Sequence, residues 1–158
     1  MSRKSYTYSP ISNIEFFRDL LRDWGFLKSS RGGRLVKGAE IGVFEGTHAL
    51  SLLQNTNVDL LYLIDPYEMY FDYLEGNKHY GVDQASLIEA EKSARNLLEP
   101  YQDRIVWIKK MSDNAIVDIT ESLDFLYIDG NHQEEYVWAD IVNFMPKMKQ
   151  GGVIGGHD

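Results

Sequence analysis

Residues 39–47, which read Ala-Glu-Ile-Gly-Val-Phe-Glu-Gly-Thr, constrain the fold more than any other stretch of the chain. A short apolar run with Glu40 at its start gives way to Gly42 and Gly46, and apolar residues then recur with the spacing of a helix. Strand, glycine turn and helix in this order are typical of an α/β nucleotide site, where glycines let the backbone approach a ligand at a helix N-terminus. A tight strand-to-helix turn in any α/β protein would give the same pattern.

The glycine spacing excludes two common phosphate-binding loops. Neither Gly-x-Gly-x-x-Gly nor Gly-x-x-x-x-Gly-Lys-Ser/Thr is present. An acid at the head of the strand suits a ligand that carries an amino group better than one that carries a pyrophosphate, which points to S-adenosylmethionine. A nicotinamide dehydrogenase would fit the sheet and Asp65, but not the spacing between Gly42 and Gly46.

Apolar runs alternate with helical patterns along the rest of the chain. Further strands are predicted at 60–64, 105–108, 124–130 and from Val153, and helices at 83–98, 113–120 and 132–144. This alternation predicts an α/β fold with a doubly wound parallel sheet and right-handed crossovers. We predict two segments: residues 1–37 as an N-terminal arm with a helix that starts at Ser12, and residues 38–158 as the cofactor-binding domain.

Composition and charge narrow the function classes. No apolar run in the 158 residues approaches the ~20 that a membrane span needs, and we see neither a hydrophobic signal core nor a cysteine. We therefore expect a cytoplasmic protein with no membrane partner. The net charge of −8 argues against nucleic-acid binding. Residues 1–38 carry eight Lys/Arg and three Asp/Glu; this segment either packs on its acidic neighbour, which we favour, or lets Arg31, Arg34 and Lys37 recruit an anionic substrate.

Every predicted strand delivers polar or glycine residues to the edge where the carboxyl ends of parallel strands meet and ligands bind. These residues are Gly42 to Gly46, Asp65, Ser112 with Asp113, Asp129 to His132, and His157 with Asp158. A carboxylate at position 65 could accept both ribose hydroxyls or cap the next helix. Ser112 and Asp113 could bind an adenine edge, or they could cap a short helix.

Together these motifs resemble a class I S-adenosylmethionine-dependent methyltransferase, of the group that includes macrocin-type sugar O-methyltransferases and cephalosporin-hydroxylase-like proteins. The resemblance covers residues 38–158 and adds the segment from Gly151 to Asp158 to the motifs above. It implies a Rossmann-like sheet of order 3-2-1-4-5 and an enzyme that uses S-adenosylmethionine to methylate a hydroxyl of a small molecule, such as a sugar or a secondary metabolite. The alternative is a non-catalytic S-adenosylmethionine-binding module or a truncated partner subunit.

The resemblance also implies a role for each motif. Glu40 would lie near the cofactor's amino group, and the cofactor-binding residues would be Glu40, Gly42, Phe44, Gly46, Thr47, Asp65, Ser112, Asp113 and Asp129. In metal-dependent relatives the ends of strands four and five hold a divalent cation, Mg²⁺ or another metal, and the corresponding residues here are Asp129, His157 and Asp158. His132 stands where the more distant catechol-type enzymes have a lysine base, so His132 and Asp129 are the implied catalytic residues.

The chemistry of methyl transfer supports these roles. A hydroxyl is a poor nucleophile until it is deprotonated or bound to a metal. His132 could take the proton, because the unperturbed pKa of imidazole is about 6.5. Mg²⁺ prefers oxygen ligands, whereas the imidazole of His157 suits Mn²⁺, Fe²⁺ or Zn²⁺ better. Asp129 and Asp158 could instead position the substrate, and His157 could hydrogen-bond loop backbone.

Several residues invite simpler interpretations. We expect His48 to face solvent or cap a helix, and Trp107 and Trp138 to lie in the core. The aromatic stretch 67–80 could be a substrate lid or a subunit contact.

A full class I sheet has seven strands, whereas this chain ends on the fifth, so it is either a truncated form or a minimal variant. Because an open sheet edge invites pairing, we expect a homo-oligomer, a dimer or larger.

Overall fold

The computed structural model describes residues 34–69 and 83–157, which form a five-stranded parallel sheet flanked by helices. The strands are β1 (Val36–Ile41), β2 (Val58–Ile64), β3 (Ile105–Ile108), β4 (Leu123–Ile128) and β5 (Met148–Gly156). The helices are α1 (Thr47–Asn55), α2 (Gln84–Leu98), α3 (Ser112–Ala115) and α4 (Glu134–Phe144), and 3₁₀ turns cover Glu99–Arg104, Ile116–Asp118 and Met145–Lys147. The predicted helix from Ser12, most of the aromatic stretch and the predicted metal ligand Asp158 fall outside the described residues.

The sheet has the order β3-β2-β1-β4-β5, and all neighbouring strands are parallel. This confirms the predicted fold class and strand order. The chain moves outward in one direction from β1 to β3 and then returns to the other side of β1 at β4. The loops that follow β1 and β4 therefore diverge, and the crevice between them is where α/β sheets bind ligands.

The sheet is covered on both faces, which explains why its central strands are continuous apolar runs. On one face Leu53 of α1 and Ala94 of α2 pack against Leu61 and Leu63 of β2. On the other face Ala115 of α3 and Phe144 of α4 pack against alternate strand residues, Ile64 and Leu126 among them. No described helix is both long and apolar enough to cross a membrane.

Strand β5 begins at Met148, five residues before the predicted start at Val153. The Gly151-Gly152 pair, which precedes the predicted start, lies inside the strand. The pairing of β4 with β5 shifts register between Leu123 and Phe125, and Gly151 has a left-handed φ of 79°. A glycine bulge therefore absorbs the extra residues without ending the strand.

One of the two tryptophans predicted to lie in the core does not lie there. Trp107 on β3 is partly buried against the core, but Trp138 on α4 is 66% exposed. Helix α4 instead buries Phe144, with Ile141 packed against the same cluster. Trp138 lies six positions before Phe144 and on a different face of the helix, so its bulk does not predict its burial.

Candidate functional site

The loop after β1 has an unusual backbone. Gly42, Phe44 and Gly46 all have left-handed φ angles, of 83°, 48° and 78°. Glycine adopts such angles without a steric penalty, but phenylalanine does not. A Cβ at Gly42 would also lie 2.0 Å from the carbonyl oxygen of Asp129, so only glycine lets the loop pass this close to the end of β4.

Asp65 and Tyr67, which follow β2, hold this loop in place. Asp65 Oδ2 accepts hydrogen bonds from the backbone N–H groups of Val43 (2.9 Å) and Phe44 (3.0 Å), and Oδ1 accepts one from Tyr67 N–H (2.8 Å). The buried Tyr67 hydroxyl donates to the Phe44 carbonyl at 2.9 Å, and burial raises the pKa of that hydroxyl. Asp65 thus shapes the loop, and its role at a ribose remains a prediction.

Glu40 and His48 form a buried pair beneath the loop. Glu40 is 1% exposed, and its Oε2 lies 3.1 Å from His48 Nδ1. The His48 ring stacks on Tyr127 of β4 with 3.9 Å between centroids. Burial raises the pKa of the Glu40 carboxyl, and the nearby His48 acts in the opposite direction. The prediction that His48 faces solvent or caps a helix was therefore wrong, because its ring lies over the sheet and faces Glu40.

A first cavity of about 300 Å³ lies above this pair. Five of the predicted cofactor-binding residues line it, namely Glu40, Gly42, Phe44, Thr47 and Asp129. The other three lining residues are Val43, Glu45 and His48. Gly46 precedes α1 as its left-handed N-cap residue. Glu40 is the buried acid of this cavity, and its predicted contact with the amino group of a cofactor remains untested.

Ser112 and Asp113 open α3 at the end of β3, but neither lines the first cavity. The Ser112 hydroxyl donates to Oδ1 of Asp140 on α4 at 2.5 Å. Asp140 is 4% exposed, and burial raises the pKa of its carboxyl while the Ser112 bond acts in the opposite direction. The bond to Asp140 orients the Ser112 hydroxyl, and the predicted contact of this pair with an adenine remains untested.

Asp129, His132 and His157 meet where β4 and β5 end. His132 Nε2 lies 3.2 Å from Asp129 Oδ1, and His157 Nδ1 lies 3.8 Å from the same oxygen. Burial raises the pKa of the Asp129 carboxyl, and the two histidines oppose that shift. The structure thus brings together three residues that the sequence assigns to catalysis or to metal binding.

A second cavity of about 290 Å³ lies on the other side of this cluster. Its floor is apolar, with Ile128, Val137, Ile141 and Ile154, while Asn131, His132 and His157 supply polar groups. Asn131 is 9% exposed, and its Nδ2 has no hydrogen-bond partner among the described residues. Asp129 borders the first cavity and His132 borders the second, so the Asp129–His132 pair lies between the two cavities.

Arg34 and Lys37 lie at the opposite edge of the sheet, near the start of β1. Arg34 pairs with the buried Asp124 of β4, and Lys37 Nζ lies 2.8 Å from Glu121. Because the site is at the carboxyl ends of the strands, the idea that these two cations recruit an anionic substrate was wrong for both residues. The packing of basic residues on acidic neighbours explains their positions. Arg31 lies outside the described residues.

Fold and site together define a class I S-adenosylmethionine-dependent methyltransferase, with a parallel 3-2-1-4-5 sheet, a glycine loop after β1 and an acid after β2. The chain belongs to the methyltransferase domain family, whose profile matches residues 39–158. This confirms the resemblance that the motifs suggest. None of the curated proteins matches the sequence at a significant level.

Solved structures with the same fold are distant in sequence. An rRNA methylase from Streptococcus thermophilus has a TM-score of 0.62 and 13% identity, and the match covers 98% of this chain and 75% of that chain. A protein designated a caffeoyl-CoA O-methyltransferase from Staphylococcus aureus has a TM-score of 0.59 and 14% identity, over 96% and 58% of the two chains. A Streptococcus mutans protein designated a methyltransferase, in complex with SAH, has a TM-score of 0.59 and 15% identity, over 94% and 73%. Identities this low show the fold alone.

Sequence reasoning missed three polar residues that build the site: Tyr67, His48 and Asp140. The position of Tyr67 two residues after the acid of β2 was a usable signal, because that acid faces the loop after β1. His48 and Asp140 lie on helices, where a polar residue is normally solvated, and nothing in their local sequence marks them as buried.

Proposed function

We propose that this protein transfers a methyl group from S-adenosylmethionine to a hydroxyl group of a small molecule, with His132 as the general base. The observation that carries the proposal is the Asp129–His132 pair, 3.2 Å apart, between a cavity with an acidic floor and a cavity with an apolar floor. A donor in the first cavity and an acceptor in the second would meet at this pair.

The first cavity suits the methionine part of the cofactor. When bound, S-adenosylmethionine supplies a methyl group on a positively charged sulfur. Glu40 offers a buried carboxylate, and desolvation makes that carboxylate costly to ionise without a nearby cation. A ligand amino group would offset that cost. Asp129, which also borders the cavity, would favour the positive charge of the sulfonium.

The second cavity suits an acceptor with an apolar ring or chain and several hydroxyl groups. The isoleucines of its floor would pack against carbon, and the buried Asn131 Nδ2 would donate to an acceptor oxygen. A buried donor without a partner costs about 1–3 kcal/mol. An oxygen of the bound acceptor would recover that free energy, so we expect Asn131 to select for hydroxylated molecules.

Within the pair, Asp129 would orient the base. Its Oδ1 favours the His132 tautomer that carries hydrogen on Nε2, which leaves Nδ1 to accept the proton of the acceptor hydroxyl. The deprotonated oxygen would then be the nucleophile for the methyl carbon of bound S-adenosylmethionine, and the electrons of the carbon–sulfur bond would stay on sulfur. The protein contributes alignment of the two reactants and removal of the proton.

The metal that the resemblance implies is a separate question, and the donors of the described residues bear on it. One carboxylate and two imidazoles converge at Asp129, His132 and His157. Mg²⁺ prefers an all-oxygen shell, so these donors do not fit it. Asp158, the other predicted ligand, lies outside the described residues.

RNA is a second acceptor class, which the name of the Streptococcus thermophilus neighbour suggests. Contacts to RNA phosphates need basic residues, and this chain carries a net charge of −8. We therefore favour the small-molecule acceptor, and RNA serves as a comparison in the test.

The test is transfer of radiolabelled methyl from S-adenosylmethionine to a panel of catechols, hexoses and hydroxylated ring compounds, with structured RNA in parallel. We expect methylation of at least one small hydroxylated compound, and a loss of about 10²–10⁴-fold in His132→Ala. Glu135→Gln, an exposed acid on α4, is the matched control and should keep wild-type activity.

Two results would contradict the proposal. The first is methylation of RNA with no small hydroxylated compound accepted. The second concerns His132 alone: activity of His132→Ala within about threefold of wild type, less than ~1 kcal/mol of barrier, would remove it from the mechanism.

A further inference from the structure

General-base catalysis needs one imidazole, but two imidazoles face Asp129. His132 Nε2 and His157 Nδ1 approach the same oxygen, Asp129 Oδ1, at 3.2 and 3.8 Å. The longer distance is outside the range of a hydrogen bond. The two rings lie 5.5 Å apart and are tilted by 38°. His157 thus has a position that the base mechanism does not explain.

The three side chains offer one ligand atom each, and these atoms all lie within 4.8 Å of one another. A metal with bonds of about 2.0–2.2 Å holds neighbouring ligand atoms roughly 3.0–3.5 Å apart. The observed 3.2 and 3.8 Å separations are close to that range. Each side chain is between 33% and 42% exposed, so small rotations can bring the three atoms onto one ion. Within residues 34–69 and 83–157 this is the one group of His, Asp and Glu with such geometry.

We propose that Asp129, His132 and His157 form a two-histidine, one-carboxylate site for a divalent transition metal and that this site discriminates against Mg²⁺. Imidazole nitrogen binds Mn²⁺, Fe²⁺, Co²⁺ and Zn²⁺ well, and two histidines with one carboxylate on one side of an ion are typical of Fe²⁺ sites. Mg²⁺ binds oxygen and gives up its water reluctantly. The donor set therefore selects the class of metal.

This inference rests on the proposed function in one respect, the presence of the acceptor in the second cavity, and it replaces the role of His132 as the general base. His132 and His157 both line that cavity, so a bound ion would lie beside the acceptor hydroxyl. A divalent cation lowers the pKa of a hydroxyl that binds to it. His132 would then act as a ligand rather than as the base, and loss of activity in His132→Ala would fit both roles.

The test therefore measures metal binding rather than activity. The full chain is stripped of metal with a chelator and dialysed, and Co²⁺, Zn²⁺ and Mg²⁺ are titrated separately by calorimetry. We expect one equivalent of Co²⁺ or Zn²⁺ to bind at least ~100-fold more tightly than Mg²⁺. The visible absorption of bound Co²⁺ reports nitrogen coordination directly. His132→Ala, His157→Ala and Asp129→Asn should each weaken Co²⁺ binding by about 10–100-fold or more.

Glu135→Gln is again the matched control, since Glu135 is exposed and lies outside the cluster and both cavities. It should bind Co²⁺ as wild type does, and thermal unfolding checks that every variant is folded. Three results would overturn the proposal: Mg²⁺ binding as tight as Co²⁺ binding, no binding of either, or wild-type Co²⁺ affinity in His132→Ala. Methyl transfer by the chelated protein would leave the proposed function standing without this metal. Tight Co²⁺ binding in a protein that methylates none of the tested compounds would support the metal site and contradict the proposed function.

Discussion

At the scale of the residue, the loop after β1 places a strained phenylalanine between two glycines. Phe44 keeps a left-handed φ of 48° because the loop is held on both sides of its backbone. Its N–H donates to Asp65 and its carbonyl accepts from Tyr67. Strained backbone that neighbouring groups hold in place is characteristic of ligand-binding sites. The half-exposed side chain of Phe44 lines the first cavity, and its predicted contact with the cofactor remains a prediction.

The chain offers a matched pair of glycines that separates backbone strain from steric contact. Gly42 and Gly151 have nearly equal φ angles, 83° and 79°, but a Cβ at Gly42 would meet Asp129 O at 2.0 Å and one at Gly151 would meet nothing within 4 Å. We expect Gly151→Ala to lower the free energy of unfolding by about 1–2 kcal/mol. Gly42→Ala should cost more than ~3 kcal/mol and weaken S-adenosylhomocysteine binding. Denaturant unfolding and calorimetry measure both effects, and equal costs would contradict the proposed contact.

The buried Glu40 predicts a pH dependence that its amide analogue lacks. Burial raises the pKa of this carboxyl above its usual value of 4.5. At pH values between 4.5 and the raised pKa, the folded state binds more protons at Glu40 than the unfolded state does. The free energy of unfolding of the wild type therefore falls as the pH rises through the raised pKa. Glu40→Gln should therefore match wild type below pH 4.5 and become the more stable protein as pH rises.

The same substitution should weaken S-adenosylmethionine binding at pH 8 by about tenfold or more, because it removes a charge-assisted hydrogen bond of roughly 1.5–3 kcal/mol. Unfolding of both proteins across a pH series gives the stability difference. In that difference, the shared shift at Asp140 cancels. A difference that stays constant with pH would show that Glu40 is not desolvated.

At the scale of the element, helix α4 shows how packing decides which large residues are buried. Phe144 is fully buried against β4 and its neighbours, while Trp138 and Val142 are about half-exposed or more. The helix also carries Asp140, whose carboxyl turns inward to the Ser112 hydroxyl at the end of β3. One helix face therefore serves both the core and the rim of the site.

This arrangement predicts opposite outcomes for two aromatic residues on α4. Phe144→Ala should lower the free energy of unfolding by about 3–5 kcal/mol, since it empties a closed part of the core. Trp138→Ala removes a larger side chain, but with 66% of it exposed the cost should stay within about 0.5 kcal/mol. Denaturant unfolding of the two variants tests this, and a large cost at Trp138 would mean that another surface covers it.

At the scale of the whole molecule, the two ends of the parallel strands carry different features. The carboxyl ends of the strands carry the cavities, while the amino ends carry ion pairs around Asp124. This residue is 1% exposed, accepts from Lys37 N–H at 2.9 Å, and pairs with Arg34 and with Lys149 at 2.8 Å. It thus joins the starts of β1, β4 and β5, at the opposite end of the strands from the two cavities.

Asp124→Asn should accordingly affect stability and spare function. We expect a loss of about 1–3 kcal/mol, at the low end for a buried ion pair because Arg34 and Lys149 are 62% and 36% exposed and can return to water. The dissociation constant for S-adenosylmethionine should change by less than about twofold. Glu121→Gln, which removes an exposed partner of Lys37, is the control and should cost no more than ~1 kcal/mol. A large change in affinity would mean that the two edges are coupled.

The sequence by itself determined the parallel sheet and the polar and glycine residues that follow its strands, because these depend on local patterns: apolar runs, helical spacing, and a glycine or an acid where each strand ends. The strand order came from the resemblance that those motifs carry, and the sheet confirms it. Only the tertiary structure decided which polar groups meet. The burial of His48, the bond from Ser112 to Asp140, and the approach of His132 and His157 to one oxygen of Asp129 depend on how helices and strand ends pack. Such contacts join residues up to 28 positions apart, and no local pattern encodes the distance between them.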